Sequence, residues 1–329
     1  MKIEIIEDKN FWNKFLDENN YLSFLQDFEY GEIERGLGRE VIRLALKNEK
    51  ILGVCQIIGY QGKRRGLVIH HGPASQLGGP VSNQEIFILE ILKFLKENSY
   101  HKKYDFLRIN PISSIPKIKG FVLAPTYAVT ENFWIKEIKD DKEMLEEMNE
   151  TTRKLIIDSL KKPFLEIEKT NDLEKFEIFW QIYEDLAKRK NFVPYPKEFI
   201  KKEFEIFSKE NKALLFLGKV ENKYYSVALI IFSHQIAFYH HSASYPIKEP
   251  LNYKLQWEII QEAKNRDCKF YNLWGIARKE NKEHPWYGLT QFKKSFGGQL
   301  IKLPPTTDYP FSFKYWFTYF YEKIKRGKL

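Results

Sequence analysis

The sequence predicts a mixed α/β protein made of two copies of one unit, each a three-strand meander followed by a helix and a further strand. Three observations carry this. Strand-like runs rich in Val, Ile, Leu and Tyr come in threes, separated by turn residues. Each trio is followed by an amphipathic helix and one more apolar run. The whole order recurs about 170 residues later, with a His-His pair ending the third strand of both copies, His70–His71 and His240–His241.

Element by element, 1–7 reads as a strand and Asp8 as the N-cap of a helix over 10–19. A second helix is expected over 24–38, ending at glycine. Strands follow over 39–49, 50–61 and 64–74, then a Gly-, Pro- and Ser-rich loop (72–83), a helix (83–99) and a strand (104–112). The second copy opens with a helix over 141–162, a strand over 164–170, and helices over 172–191 and 196–207. Its meander spans 212–222, 223–234 and 235–245, its helix 252–268 and its last strand 269–276. The tail 311–329 reads as an aromatic helix with a basic end. The expected domains are 1–135, completed by 305–329, and 136–304.

The chain has 329 residues and a formal charge of +9, an excess that favours polyanionic partners: nucleic acid, phosphorylated substrates or an anionic membrane face. Aromatic residues make up 16%, enough to fill two cores and line a cleft. Only two cysteines occur, Cys55 and Cys268, with no CxxC pair, which argues against a disulfide framework or structural zinc and fits a reducing cytosol. The start, MKIEIIEDKNFW, lacks the apolar run of a signal peptide, and no run reaches the roughly 20 apolar residues of a membrane span. The expected place is the cytoplasm, with peripheral contact at the membrane face as an option.

The usual catalytic motifs are absent. Adjacent histidines on a strand point to opposite faces, so the two His-His pairs predict no metal site. There is no GxSxG and no local base beside either cysteine. RGLGRE, from Arg35, is neither a dinucleotide loop nor the pyrophosphate signature of acetyl-CoA enzymes. An antiparallel meander joined to helix-crossover strands is nevertheless the layout of GNAT-type acyltransferases, and the repeat predicts two such domains in tandem with a cleft between them.

The most unusual stretch is HPWYGLTQFKKSFGGQL (284–300), where Lys293 and Lys294 stand between phenylalanines and before Gly297–Gly298. Either the helix is amphipathic with solvated lysines and a glycine stop, or one lysine is buried and aimed at a developing negative charge. This stretch, with FLQDFEYGEIERGLG, RRGLVIHHGPA, FLRINP, ETTRK, LAKRKNF, FYHHSAS and the run through NLWGI, resembles in order the signatures of the Fem family (FemA, FemB, FemX), aminoacyltransferases that build peptidoglycan interpeptide bridges. The resemblance implies two GNAT-like domains, aminoacyl-tRNA as donor, a lipid- or UDP-linked muropeptide precursor as acceptor, and no metal or coenzyme. The long helical arm of some members is missing.

Carried over by the resemblance, Phe292 and Lys293 occupy the catalytic cleft, with Lys294 pointing about 100° away into solvent. Arg189 matches the arginine facing the precursor's phosphates, and Arg35 is the one cation near the family's phosphate-binding lysine, amid Glu32 and Glu34. Tyr239, His241, Asn272 and Trp274 complete the implied substrate contacts. Asn272 stands where the family has aspartate and Trp274 where it has glycine. The C-terminal aromatics Phe313, Tyr315, Trp316, Phe317, Tyr319, Phe320 and Tyr321 either pack on the first domain or enter a membrane interface, with Lys323, Lys325, Arg326 and Lys328 meeting anionic headgroups. Two other readings remain at this stage: a GNAT-like N-acyltransferase for another amine, and a non-catalytic basic RNA- or membrane-binding protein. A buried Lys293 favours the enzyme.

Overall fold

Strand β1 (Lys2–Ile5) gives way to helix α1 (Lys9–Glu18) at Asp8, whose carboxylate accepts from Phe11 N at 2.9 Å and so satisfies one orphan amide of the first turn. In the computed structural model, residues 1–19, 23–61, 65–69, 81–82, 86–109, 118–125, 132–277 and 281–326 are described. The His70–His71 pair and nearly all of the loop expected at 72–83 lie outside them. The chain divides into two units, Met1–Glu131 with Lys302–Leu329, and Asn132–Ile301.

In the first unit α2 (Phe28–Gly36) is shorter than the sequence suggested. Residues 24–27 leave the helix because Gln26 behaves as a rung on a neighbouring strand. Its Nε2 donates to Gln56 O (2.9 Å) and its Oε1 accepts from Gln56 N (2.6 Å). The meander is β2 (Glu40–Lys47), β3 (Ile51–Tyr60) and β4 (Gly66–Ile69), with a two-residue β5 (Val81–Ser82) on β3. Helices α3 (Ile86–Glu97) and α4 (Tyr100–Lys103) then carry the chain to β6 (Phe106–Ile109), parallel to β4, and a short β7 (Val122–Leu123). Phe87, Ile91 and Leu95 of α3 pack on Leu44, Ile57 and Leu107 of the sheet.

The second unit starts with β8 (Asn132–Glu137). The single helix expected over 141–162 is two, α5 (Asp141–Glu147) and α6 (Glu150–Leu160), because Asn149 takes an extended backbone and caps α6 by accepting from Thr152 N at 2.8 Å. Next come β9 (Leu165–Thr170), α7 (Phe176–Lys190) and α8 (Lys197–Lys209). The second meander is β10 (Ala213–Val220), β11 (Lys223–Ser233) and β12 (Ile236–Ser244). Helix α9 (Leu251–Asn265) crosses to β13 (Phe270–Gly275), and α10 (Tyr287–Lys294) and β14 (Gln299–Lys302) follow. The seven strands run β14-β8-β13-β12-β11-β10-β9. Ile230, Phe232, Tyr271 and Leu273 face Trp257, Ile259 and Ile260 of α9 in a dry core. No helix among the described residues of this unit exceeds 15 residues.

The last strand and helix, β15 (Thr307–Pro310) and α11 (Tyr315–Arg326), belong to the first unit. Strand β15 lies between β6 and β7, giving the order β1-β2-β3-β4-β6-β15-β7. Arg108 of β6 donates to Asp308 at 2.8 Å through both Nε and Nη2, and reaches Glu322 of α11 at 2.9 Å. Buried charge of this kind holds together only when every partner is present.

Candidate active site

In the second unit β12 and β13 run parallel and pair only from Ile236–Phe270 to Phe238–Asn272. Beyond that point both strands depart from regular geometry. On β12 the register to β11 shifts: Leu229 opposes His241 while Ile230 opposes Tyr239, so His240 is an extra, bulged residue. On β13 Trp274 takes φ +64°, a left-handed backbone that costs a non-glycine residue about 1–2 kcal/mol. The resemblance to the Fem pattern implies a glycine at this position; this chain keeps an indole at that cost. The ring meets Phe133, Phe238 and His240 edge-on at 5.3, 5.9 and 5.4 Å.

Helix α10 is tied to the end of β13 by two side chains. Thr290 Oγ1 accepts from Ala277 N at 3.0 Å, and Lys293 Nζ donates to Gly275 O at 2.7 Å. Lys293 is 5% exposed, and burial pushes its amine down to about 7. The solvated-lysine reading of this stretch is therefore excluded. Phe292 packs with Tyr253 (5.6 Å) and Phe296 (5.1 Å), forming the apolar wall of the helix. Lys294 is half-buried, its amine over the Trp134 ring at 5.1 Å, so it is not the fully solvated side chain that helical spacing suggested. Gly297 and Gly298 have φ +78° and +101°, and a Cβ on Gly298 would stand 2.4 Å from Ile135 O. The glycines let the chain turn against the backbone of β8, and Gly297 O accepts from Trp134 Nε1 at 2.8 Å.

The other implied contacts divide. Asn272 is fully buried; its Oδ1 accepts from Trp274 N at 2.8 Å, and its Nδ2 has no partner among the described residues. Tyr239 lies on the α9 face of the sheet, 6.4 Å from Tyr271, with burial raising its phenol to about 12. The bulge separates it from His241, whose ring turns to the opposite face between Tyr183 and Tyr195, at 5.7 Å from each. Arg189, exposed at the end of α7, donates to Ser244 O at 2.6 Å and stacks on Tyr245, and pairs with no carboxylate among the described residues. Arg35, in the first unit, is held by Glu32 and Glu7, each at 3.0 Å.

The bulge also corrects the reading of His240–His241 as a pair pointing to opposite faces. Both rings reach one carboxylate, Glu203 of α8, at 3.0 Å (His240) and 3.4 Å (His241). Burial works to raise the Glu203 carboxyl, but the two imidazoles overcome it and hold it down at about 2. Burial, aided by His240, lowers His241 to about 4, so its ring is neutral at pH 7. Sequence reasoning missed Glu203. A signal existed: Phe199, Ile200, Phe204 and Phe207 mark the apolar stripe of α8, and Glu203 falls inside it, where an unpartnered acid would be costly.

Residues 221–323 match the FemAB family. Among solved structures, FemX superposes with a TM-score of 0.80 at 17% identity, over 94% of this chain and 97% of that one. L-PGS from Bacillus licheniformis gives 0.56 at 14% identity, covering 97% and 98%. A tandem GNAT protein from the clavulanic acid biosynthesis pathway gives 0.55 at 6% identity, covering 94% and 99%. No curated protein sequence matches the chain. The fold is thus that of two GNAT-like domains, and the matched segment contains β12, β13, α10 and Lys293 together. Residues 221–323 thus carry the FemAB pattern, and a fold like that of FemX extends along nearly the whole chain.

Proposed function

We propose that the chain is an aminoacyltransferase that moves an amino acid from aminoacyl-tRNA to the stem-peptide amine of a peptidoglycan precursor. The observation that carries this reading is Lys293: a buried amine on a family-matched helix, beside an aromatic wall, at the end of the strands that part. The acceptor nitrogen attacks the ester carbonyl, a C–N bond forms, and the C–O bond to the tRNA ribose breaks. The proton lost by the amine ends on the departing ribose oxygen. Between the two steps the carbonyl oxygen is anionic, and the ammonium form of Lys293, already populated near pH 7, stabilises it in a dry site. An ester is already activated, so positioning and this one cation supply most of the rate. Nothing in the step requires a protein nucleophile.

Arg189 suits the precursor's phosphates better than Arg35 does. Its guanidinium is exposed and pairs with a backbone carbonyl and a ring, whereas Arg35 is already neutralised by Glu7 and Glu32. A lipid-linked acceptor is favoured by α11, which buries Tyr315 and Glu322 in its own unit and exposes Phe317, Phe320, Tyr321 and Ile324 along one face. With Phe313 and the exposed Lys314 and Lys323, that face suits an anionic bilayer surface. The test is a transfer assay with a panel of charged tRNAs and both lipid- and UDP-linked precursors. Amide formation with at least one pair, lost in Lys293→Met, supports the reading. Transfer from an acyl-coenzyme A thioester, with none from any charged tRNA, overturns it.

A further inference from the structure

Glu203, His240 and His241 take no part in the transfer chemistry just described, yet they form a tight, largely buried polar cluster on their face of the sheet. We propose that these three side chains bind one divalent transition-metal ion of the zinc class, linking α8 to the bulge of β12. Their ligand atoms all lie within 4.8 Å of one another. Nε2 of His240 stands 3.0 Å from one carboxylate oxygen and Nε2 of His241 stands 3.4 Å from the other. Donors held at about 2.0–2.2 Å from a tetrahedral ion stand roughly 3.3–3.5 Å apart. The carboxylate–imidazole edges already approach that spacing.

Two further observations point to a ligand. Glu203 Oε2 and His241 Nε2 are buried and face each other at 3.4 Å without meeting hydrogen-bond geometry, a loose contact between two donor atoms that one ion satisfies together. An internal ion pair alone would need only one imidazole on a regular strand. Here the strand bulges so that a second reaches the same carboxylate. Two imidazoles and a carboxylate are a donor set that suits zinc and leaves a fourth position open. The rings of Trp274, Tyr183 and Tyr195 pack on the histidines and fix their orientation. The ion's role is to position, and the proposal stands apart from the transferase reading.

The test uses the full chain, stripped with EDTA and titrated with Co(II), then with Zn(II), without substrate. The expected result is one equivalent of Co(II) giving the intense visible bands of a four- or five-coordinate site, displaced by Zn(II), with a zinc-dependent rise in unfolding temperature. His240→Gln and His241→Gln should each weaken binding by roughly 100-fold or more, while His101→Gln, in the other unit, leaves it unchanged. Glu203→Gln should do the same as the histidine variants where circular dichroism shows it folded; the histidine variants decide the matter where it is not. No stoichiometric Co(II) uptake by the folded wild type, or uptake undiminished in both His240→Gln and His241→Gln, overturns the proposal.

Discussion

Replacing Lys293 with Met should make the protein more stable and less active at once. The native amine titrates near 7, against 10.5 for an unburied lysine. At about 1.4 kcal/mol per pH unit that difference is roughly 5 kcal/mol. Between pH 7 and 10.5 the unfolded chain holds one more proton at this site than the native chain. Wild-type stability therefore rises with pH through that window, and below pH 7 the full cost of a buried ammonium is present. Met fills the stem's volume and carries no charge, so its stability curve lacks this slope. Against the gain stands Gly275 O, which loses its 2.7 Å donor at a cost of about 1–3 kcal/mol. The net expectation at pH 6 is a stabilisation of about 2–4 kcal/mol, shrinking to nothing or reversing near pH 10. Urea unfolding at pH 6, 8 and 10 reads the stability, and the transfer assay reads a loss of about 10²–10³ in kcat. Lys294→Met, at a half-buried site, should change either quantity far less. Parallel stability curves for wild type and Lys293→Met, or a variant less stable at pH 6, would refute the argument that this lysine is held at a cost for its chemistry.

Four further outcomes follow from particular contacts. Trp274→Gly should be more stable than Trp274→Ala by about 1 kcal/mol, since both lose the indole and only glycine relieves the left-handed backbone; the reverse order in chemical unfolding would show that no strain is stored there. Asn149→Ala should cost about 1 kcal/mol by removing the cap of α6, read as a lower urea midpoint with an unchanged slope. If basic residues hold the donor by about six phosphate contacts, affinity for charged tRNA should fall roughly 10³-fold between 50 and 200 mM salt; a flat titration would remove them from the binding surface. Phe317→Asp combined with Phe320→Asp should reduce co-sedimentation with anionic vesicles at least about 10-fold, each buried ring contributing roughly 1.5–3 kcal/mol, and equal binding by the variant would leave α11 without that role.

What the sequence disclosed, and what it hid, divides along physical lines. Alternating and 3.6-residue apolar patterns place both meanders, α3, α7, α8 and α9, because those patterns are the burial itself. Lys293 was legible as one of two lysines in an aromatic frame, and it was the resemblance to the Fem pattern, with helical spacing turning Lys294 aside, that picked it as the inward one. Short-range side-chain bonding was not legible in the same way. Gln26 replaced a turn of helix by pairing with Gln56, thirty positions away, and Asn149 split one amphipathic run by capping its second half. A β-bulge leaves no mark in the apolar pattern either, since one extra residue at His240 only shifts the alternation at a strand's end. That shift alone undid the expectation of opposed histidines.

Both irregularities lie where β12 and β13 stop pairing, and their consequences are complementary. The bulge at His240 commits two imidazoles to the α8 face, and the left-handed turn at Trp274 lays an indole across one of them. One residue further on, the carbonyl of Gly275 receives the Lys293 amine from α10. A glycine at 274 would hold the same backbone path at lower cost, so the path to Gly275 does not explain the tryptophan. The indole's contacts do: Phe133, Phe238 and His240 surround it edge-on, stiffening the strand end that holds the lysine's acceptor. The buried lysine, received by Gly275, and the strained tryptophan at 274 are thus two costs that meet at the end of one strand, the arrangement expected where a site is held in place for chemistry instead of for stability.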